Sequence, residues 1–306
     1  MQRLTWPLEA PRPAAPDDPA LCQPGSNICL DLHGDPLTAK LVVFSDGNHH
    51  MALGECIGAF VAENPQVGDV FYATTPPGLL VDALHRKILR VGNLALSIVP
   101  DVFIGPREII DRLAARRLVN DHGTLAKSRG NVLLIRHGNP KNIQGISDLL
   151  RNDLRVALSN PESEKASFRV YADTLTGLAA EAGLDVAAYE KRFTGAGDDH
   201  VVYSTVIHHR ELPQLLADGR ADVAMVYYHL ALRYQRIFPD IFDFIPLGGT
   251  KDDPEPGPAQ HITHYGLGLV GDGGHWGGKF VDYILGNAGA EIYRRHGLSP
   301  VRGGND

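Results

Sequence analysis

The chain has 306 residues, 43% of them hydrophobic and 21% charged, with a net charge of −7 when histidine is neutral. This composition belongs to a globular protein with ample core, in two domains or one large one. The acidic balance without a basic run excludes nucleic acid as a partner. No apolar run reaches the roughly 18 residues that a membrane span needs.

Residues 1–38 read as an N-terminal arm, because Pro7, Pro11, Pro13, Pro16 and Pro19 block regular structure. No charged n-region followed by an apolar h-region is visible. The protein therefore stays in the cytoplasm, or its leader lies outside the recorded start. Cys22 and Cys29 either pair outside the cell or are neighbours by chance, and Cys56 reads as core.

Regular units begin at residue 41. Residues 41–44 form an apolar strand, and residues 51–63 an amphipathic helix with Met51, Leu53, Ile57, Phe60 and Val61 on one face. Between them lies Ser45-Asp46-Gly47-Asn48-His49-His50, at a helix start where free N–H groups and the helix dipole favour an anion. Next come a strand at 67–73, the turn Thr74-Thr75-Pro76-Pro77-Gly78, a helix at 79–89, a buried strand at 96–105 and a helix at 106–115. Further strands fall at 132–136 and 153–158, followed by a helix through 171–180. A segment at 201–206 precedes a helix starting near His208, and strands follow at 221–228, 242–246 and 265–270. Helices at 278–284 and 288–296 close the chain. Alternating β and α elements with short links predict an α/β fold with mixed, mostly parallel sheets and helices on both faces. No internal repeat is present.

Seven motifs in order carry a resemblance: VFSDGNHHMAL, YATTPPGLL, PDVFIGPREIIDRLAARRLV, NVLLIRHGNPKNIQGISDLL, RVALSNPESEKASFRVYADTL, LLADGRADVAMVYYHLA and KFVDYILGNAGAEIYRRHGLSPV. Together they resemble type II periplasmic solute-binding proteins, in the molybdate- and tungstate-binding branch. The resemblance implies two lobes, residues 39–130 with 265–306 and residues 131–264. Two crossings near 130–133 and 263–267 join them, and a ligand cleft lies between. It implies a monomer of periplasmic location, without catalytic residues or cofactor, that delivers its ligand to an ABC permease. It places Asn48, Thr75 (with Thr74 and Pro76 adjacent), the backbone near Ser163, the backbone at His209, and Tyr227 around the ligand. The hydroxyl that the family carries at Asn48 is absent here.

His49, His50, His208, His209 and His229 fall at or beside these positions. Two chemistries stand open. Helix N-termini, Asn48, Thr75, imidazole N–H groups and the Tyr227 hydroxyl suit a tetrahedral oxyanion, with Arg210 adding charge. Alternatively, three or four of the imidazoles with Tyr227 or Asp46 suit a transition metal ion such as Zn, Ni, Cu or Fe. Surface-loop histidines, N-capping threonines and a structural tyrosine would look the same in sequence. Asp46 weighs against an anion unless it bonds its own loop.

One further motif, Arg136-His137-Gly138, matches the signature of histidine phosphatases, with His275 as a conceivable second histidine. That family would begin near residue 131 and leave the first 130 residues unexplained. No Walker loop, CxxC pair or HExxH is present, so the prediction is a non-catalytic binding protein.

Overall fold

The computed structural model describes residues 31–301 apart from 92–93, 195–197 and 206. The prolines of the arm, Cys22, Cys29 and the end of the 201–206 segment therefore lie outside the described residues. The chain enters through β1 (Leu32–His33) and β2 (Leu41–Ser45), a 3-10 turn at Gly47–His49, α1 (His50–Glu63) and β3 (Val70–Ala73). Then follow α2 (Pro77–Arg86), the hairpin β4 (Leu89–Val91) and β5 (Leu94–Leu96), β6 (Val102–Pro106), α3 (Arg107–Ala115) and β7 (Asn120–Lys127). The middle of the chain holds β8 (Asn131–Arg136), β9 (Val156–Leu158), α4 (Lys165–Glu181), α5 (Val186–Phe193), β10 (Val201–Tyr203) and α6 (His208–Ala217). After these come β11 (Val223–Tyr227), α7 (Tyr228–Ile237) and β12 (Phe242–Pro246). The return runs through β13 (His264–Leu269), α8 (Gly274–Leu285), α9 (Asn287–Arg295) and β14 (Ser299–Pro300).

Among the described residues, one seven-stranded sheet has the order β1-β3-β2-β6-β13-β7-β14, and a five-stranded sheet has β10-β9-β11-β8-β12. Each sheet organises one lobe. β2 is apolar from Leu41 to Phe44 because both of its faces are covered, as parallel neighbours require. α1 buries Ala52, Leu53, Cys56, Ile57 and Phe60, spacings that put them on one face. Phe60 meets Phe280 edge-on at 5.2 Å, and truncating such a side chain to Ala costs about 3–5 kcal/mol. α2 and α3 cover the opposite face, where Leu80, Leu84, Ile110 and Leu113 pack on Phe44, Phe71 and Phe103. The second lobe has one continuous core, in which Tyr171, Tyr189 and Phe193 pack with Val223, Met225 and Phe244.

The sheets are mixed, but less parallel than the alternation of elements predicts. β13 runs antiparallel to both β6 and β7, and β8 antiparallel to both β11 and β12. These are the strands beside the crossings, where the chain leaves one sheet and must run back along the other. Two further expectations are corrected. The buried strand predicted at 96–105 begins only at Val102: Pro100 has no N–H to give, and the Asp101 carboxylate accepts the Val42 N–H at 2.8 Å. Residues 32 and 33 are not arm, since β1 pairs with β3.

The crossings bond to each other. Ser128 N–H donates to the Thr263 carbonyl at 2.8 Å, and Thr263 N–H to Ser128 Oγ at 2.9 Å. The Asn131 N–H donates to Gln260 Oε1 at 2.7 Å. Gly130 between them has φ +80°, a conformation that glycine adopts without strain.

Candidate functional site

A cleft of about 490 Å³ opens between the lobes. Asp46, Gly47 and Asn48 before α1, the Pro76-Pro77-Gly78 start of α2, and Ile109 and Arg112 of α3 line it from the first lobe. Glu162 to Ser167 at the start of α4, and His208 and His209 at the start of α6, line it from the second. Four helix starts from both lobes therefore meet at one cavity. α2 and α4 receive no side-chain cap, so their first-turn N–H groups keep their donor capacity, whereas the His208 N–H that starts α6 donates to the Glu164 carboxylate at 2.9 Å.

Asp46 is 1% exposed. Its carboxylate accepts the Asn48 N–H at 2.6 Å and the Asn48 amide at 3.3 Å, so it caps the turn ahead of α1. Burial pushes its carboxyl above the usual range, against the pull of the Asn48 N–H and of His209 and His208. Behind the cleft wall lies a buried polar cluster drawn from both lobes. The Tyr171 ring stands 5.7 Å from His208 and 5.4 Å from Tyr227. Tyr227 stacks on His229 at 5.3 Å, and Tyr265 lies 4.9 Å from His49. Burial, and then the neighbouring Tyr227 and Asp46, hold the Tyr265 phenol well above its ordinary range. Asn48 Oδ1, Thr75 Oγ1, His208 Nε2 and Tyr265 Oη are buried and have no hydrogen-bond partner among the described residues. Polar atoms left so are rare, and each leaves a bond free for a ligand or water.

Of the residues singled out in the sequence, Asn48, Ser163 and His209 line the cleft together with His208. Tyr227 sits in the buried cluster, with its hydroxyl bonded to Thr263 Oγ1 at 3.0 Å. Thr75 is buried beside Leu79 and Asp82 rather than on the cleft wall. The five histidines bond to different partners, although the His209 ring lies 5.0 Å from that of His50 and 5.6 Å from that of His208. His49 turns into the first lobe, with Nδ1 2.9 Å from the Tyr293 hydroxyl and Nε2 3.3 Å from Ser45 Oγ. His50 Nδ1 bonds the Gly47 carbonyl at 2.8 Å, and His229 Nε2 bonds the Asn48 carbonyl at 2.9 Å. His208 Nδ1 meets Glu164 at 2.6 Å, and His209 Nε2 meets Asp31 at 3.2 Å. Burial first, then neighbouring histidines, depress His49 to about 3, and burial takes His229 to about 3 as well, so both are neutral at neutral pH. His49, His50, His208, His209 and His229 are thus not gathered as one metal ligand set. Among the described residues no group of three or more His, Cys, Asp or Glu is placed to hold a metal ion.

The phosphatase constellation is likewise not assembled. Arg136 is held by Asp222 at 3.4 Å and His137 is exposed, both on the second lobe, whereas exposed His275 starts α8 on the first.

Three participants escaped the sequence reading. Asp31 is fully buried and accepts from Thr74 Oγ1 (3.1 Å), His209 Nε2 (3.2 Å) and Arg210 Nε (2.9 Å). It ties the first lobe to α6 of the second. Glu164 sits at the head of α4 and holds the Ser204 hydroxyl, the His208 N–H and His208 Nδ1 on its carboxylate. Tyr265 contributes its free hydroxyl from the crossing strand. A lone Asp in Leu30-Asp31-Leu32 between apolar residues was the one available signal.

The profile of the bacterial extracellular solute-binding proteins matches residues 41–299. None of the curated proteins compared is significantly similar in sequence. Solved structures share the fold at low identity. The sulfate-binding protein SubI from Mycobacterium tuberculosis is 20% identical, with 87% of this chain and 88% of that one covered, at TM-score 0.59. The periplasmic molybdate-binding protein of Azotobacter vinelandii is 14% identical, with 84% and 98% covered, at TM-score 0.57. Iron-bound HitA from Pseudomonas aeruginosa is 14% identical, with 87% of each chain covered, at TM-score 0.57. No helix among the described residues is long and apolar enough to cross a membrane. With the two-lobed architecture, the cleft and a profile spanning most of its length, this chain belongs to the bacterial extracellular solute-binding proteins.

Proposed function

We propose that the protein captures a small oxyanion, molybdate or tungstate foremost, in the interlobe cleft and closes on it about the 128–131 and 260–263 crossings for ABC-type uptake. The observation that carries this reading is the convergence of four helix starts on one cavity, two of them, α2 and α4, without a side-chain cap. Arg112 and Lys165 add positive charge at its mouth, one from each lobe. The free Tyr265 hydroxyl and His208 Nε2 supply further bonding groups in dry surroundings, where each bond counts for more than in water. Two of the structural neighbours are named for oxyanions, molybdate and sulfate. The transition-metal alternative loses ground because each histidine is committed to a separate protein partner.

Thermal unfolding with a panel of oxyanions and divalent metals tests the reading. An oxyanion at about 100 times its Kd stabilises by about 2.7 kcal/mol, and the gain survives EDTA. Stabilisation by metals alone, abolished by EDTA and by His209→Ala, refutes it in favour of metal capture.

A further inference from the structure

Asp46, Glu162 and Glu164 place carboxylates on the wall of a cleft assigned to an anion. Glu162 is exposed to solvent, and Glu164 is met by His208 Nδ1 at 2.6 Å. Asp46 is different: it is buried and forms no ion pair among the described residues, and its oxygens take only the two Asn48 donors. The groups that face it come from every element around it. They are Glu164 at the head of α4, His208 and His209 of α6, Tyr227 of β11, Tyr265 of β13 and Tyr293 of α9. Ionised, Asp46 would confront both Glu164 and an arriving anion across a low-dielectric gap. Beside it, Asn48 Oδ1, His208 Nε2 and Tyr265 Oη are buried without hydrogen-bond partners among the described residues, so a ligand seated there reaches Asp46 as well.

We propose that Asp46 and the bound oxyanion share one proton, which makes Asp46 the residue that decides which oxyanions the cleft holds and at what pH. The inference rests on the oxyanion reading above. When the anion arrives fully ionised, as molybdate and tungstate do, the carboxyl O–H donates to an anion oxygen and the proton has come from solvent. When the anion carries its own proton, as hydrogen phosphate does, its O–H donates to the carboxylate and no proton is taken up. The pairing rejected is a fully ionised anion against an ionised Asp46.

Titration calorimetry in two buffers of different ionisation enthalpy counts the protons. Molybdate takes up one proton more than phosphate does at the same pH, and its affinity falls about tenfold further per pH unit once the free carboxyl is ionised. Asp46→Asn isolates the effect, since its Oδ1 still caps the Asn48 N–H while its Nδ2–H is a permanent donor. In this variant molybdate loses the extra proton and the extra pH slope, and phosphate weakens relative to molybdate. Equal proton counts for the two ligands in the unaltered protein, or equal pH slopes in protein and variant, overturn the proposal. If Asp46→Asn does not fold, the proton count on the unaltered protein decides. Binding without the extra proton refutes this inference alone, whereas no binding of any oxyanion refutes the oxyanion reading with it.

Discussion

Asp31→Ala tests the bond between the lobes. Asp31 is fully buried and accepts from Thr74, His209 and Arg210, two of them on the opposite lobe. Removing one partner of a buried pair costs about 3–5 kcal/mol, because the others stay desolvated without compensation. Arg210 keeps 21% of its side chain exposed and regains some water, and one Asp31 oxygen, Oδ2, has no partner among the described residues. The lower end, about 3 kcal/mol, is therefore expected. For 306 residues the unfolding entropy is roughly 0.6 kcal/mol/K, so the melting temperature falls by about 5 °C. The pH dependence has a definite sign. Burial alone would raise the Asp31 carboxyl, but His209 and Arg210 hold it well below the ordinary carboxylate range. Its contribution is complete above the unfolded value of about 4 and is lost as pH falls toward the folded one. Scanning calorimetry at neutral pH and near pH 3 reads both effects. An unchanged melting temperature at neutral pH, or the same loss at both, refutes the latch.

Tyr265→Phe removes a buried hydroxyl that has no protein partner among the described residues. The ligand-free protein should be as stable or gain up to about 1 kcal/mol in urea unfolding, while oxyanion affinity drops about tenfold. A marked loss of stability would mean the hydroxyl serves the fold instead. Gly47→Ala places a Cβ against the His209 ring of the other lobe and the Thr74 carbonyl. Small-angle scattering should report a larger radius of gyration, and ligand affinity should collapse; unaltered closure and affinity would remove Gly47 from the account. His137→Ala should leave stability and oxyanion binding within experimental error, because His137 is exposed away from the cleft.

Much of this architecture was legible in the chain. The apolar run of β2 and the one-sided face of α1 fall where periodicity puts them, and the loop between them does line the cleft. β7 was not legible: Asn120–Lys127 is polar and interrupted by Gly123, and it becomes a strand only through long-range pairing with β13 and β14. The histidine doublets were conspicuous in sequence, but neighbours in sequence take different partners. His49 and His50 turn to opposite sides of the same turn, one to Tyr293 and the other to Gly47. Asp31 and Tyr265 were illegible for a related reason. A single Asp after a proline-rich stretch and a single Tyr in an apolar strand gain meaning only when the second lobe closes over them.

The most direct test of the central claim is a crystal structure of EDTA-treated protein grown with tungstate, with data collected at the tungsten absorption edge. The account predicts one strong anomalous peak between the Asp46–Asn48 turn and the Glu164–His208 wall, within hydrogen-bonding reach of Asp46 and His208. A peak elsewhere, or none in a cleft that instead binds a divalent metal through the histidines, would contradict it.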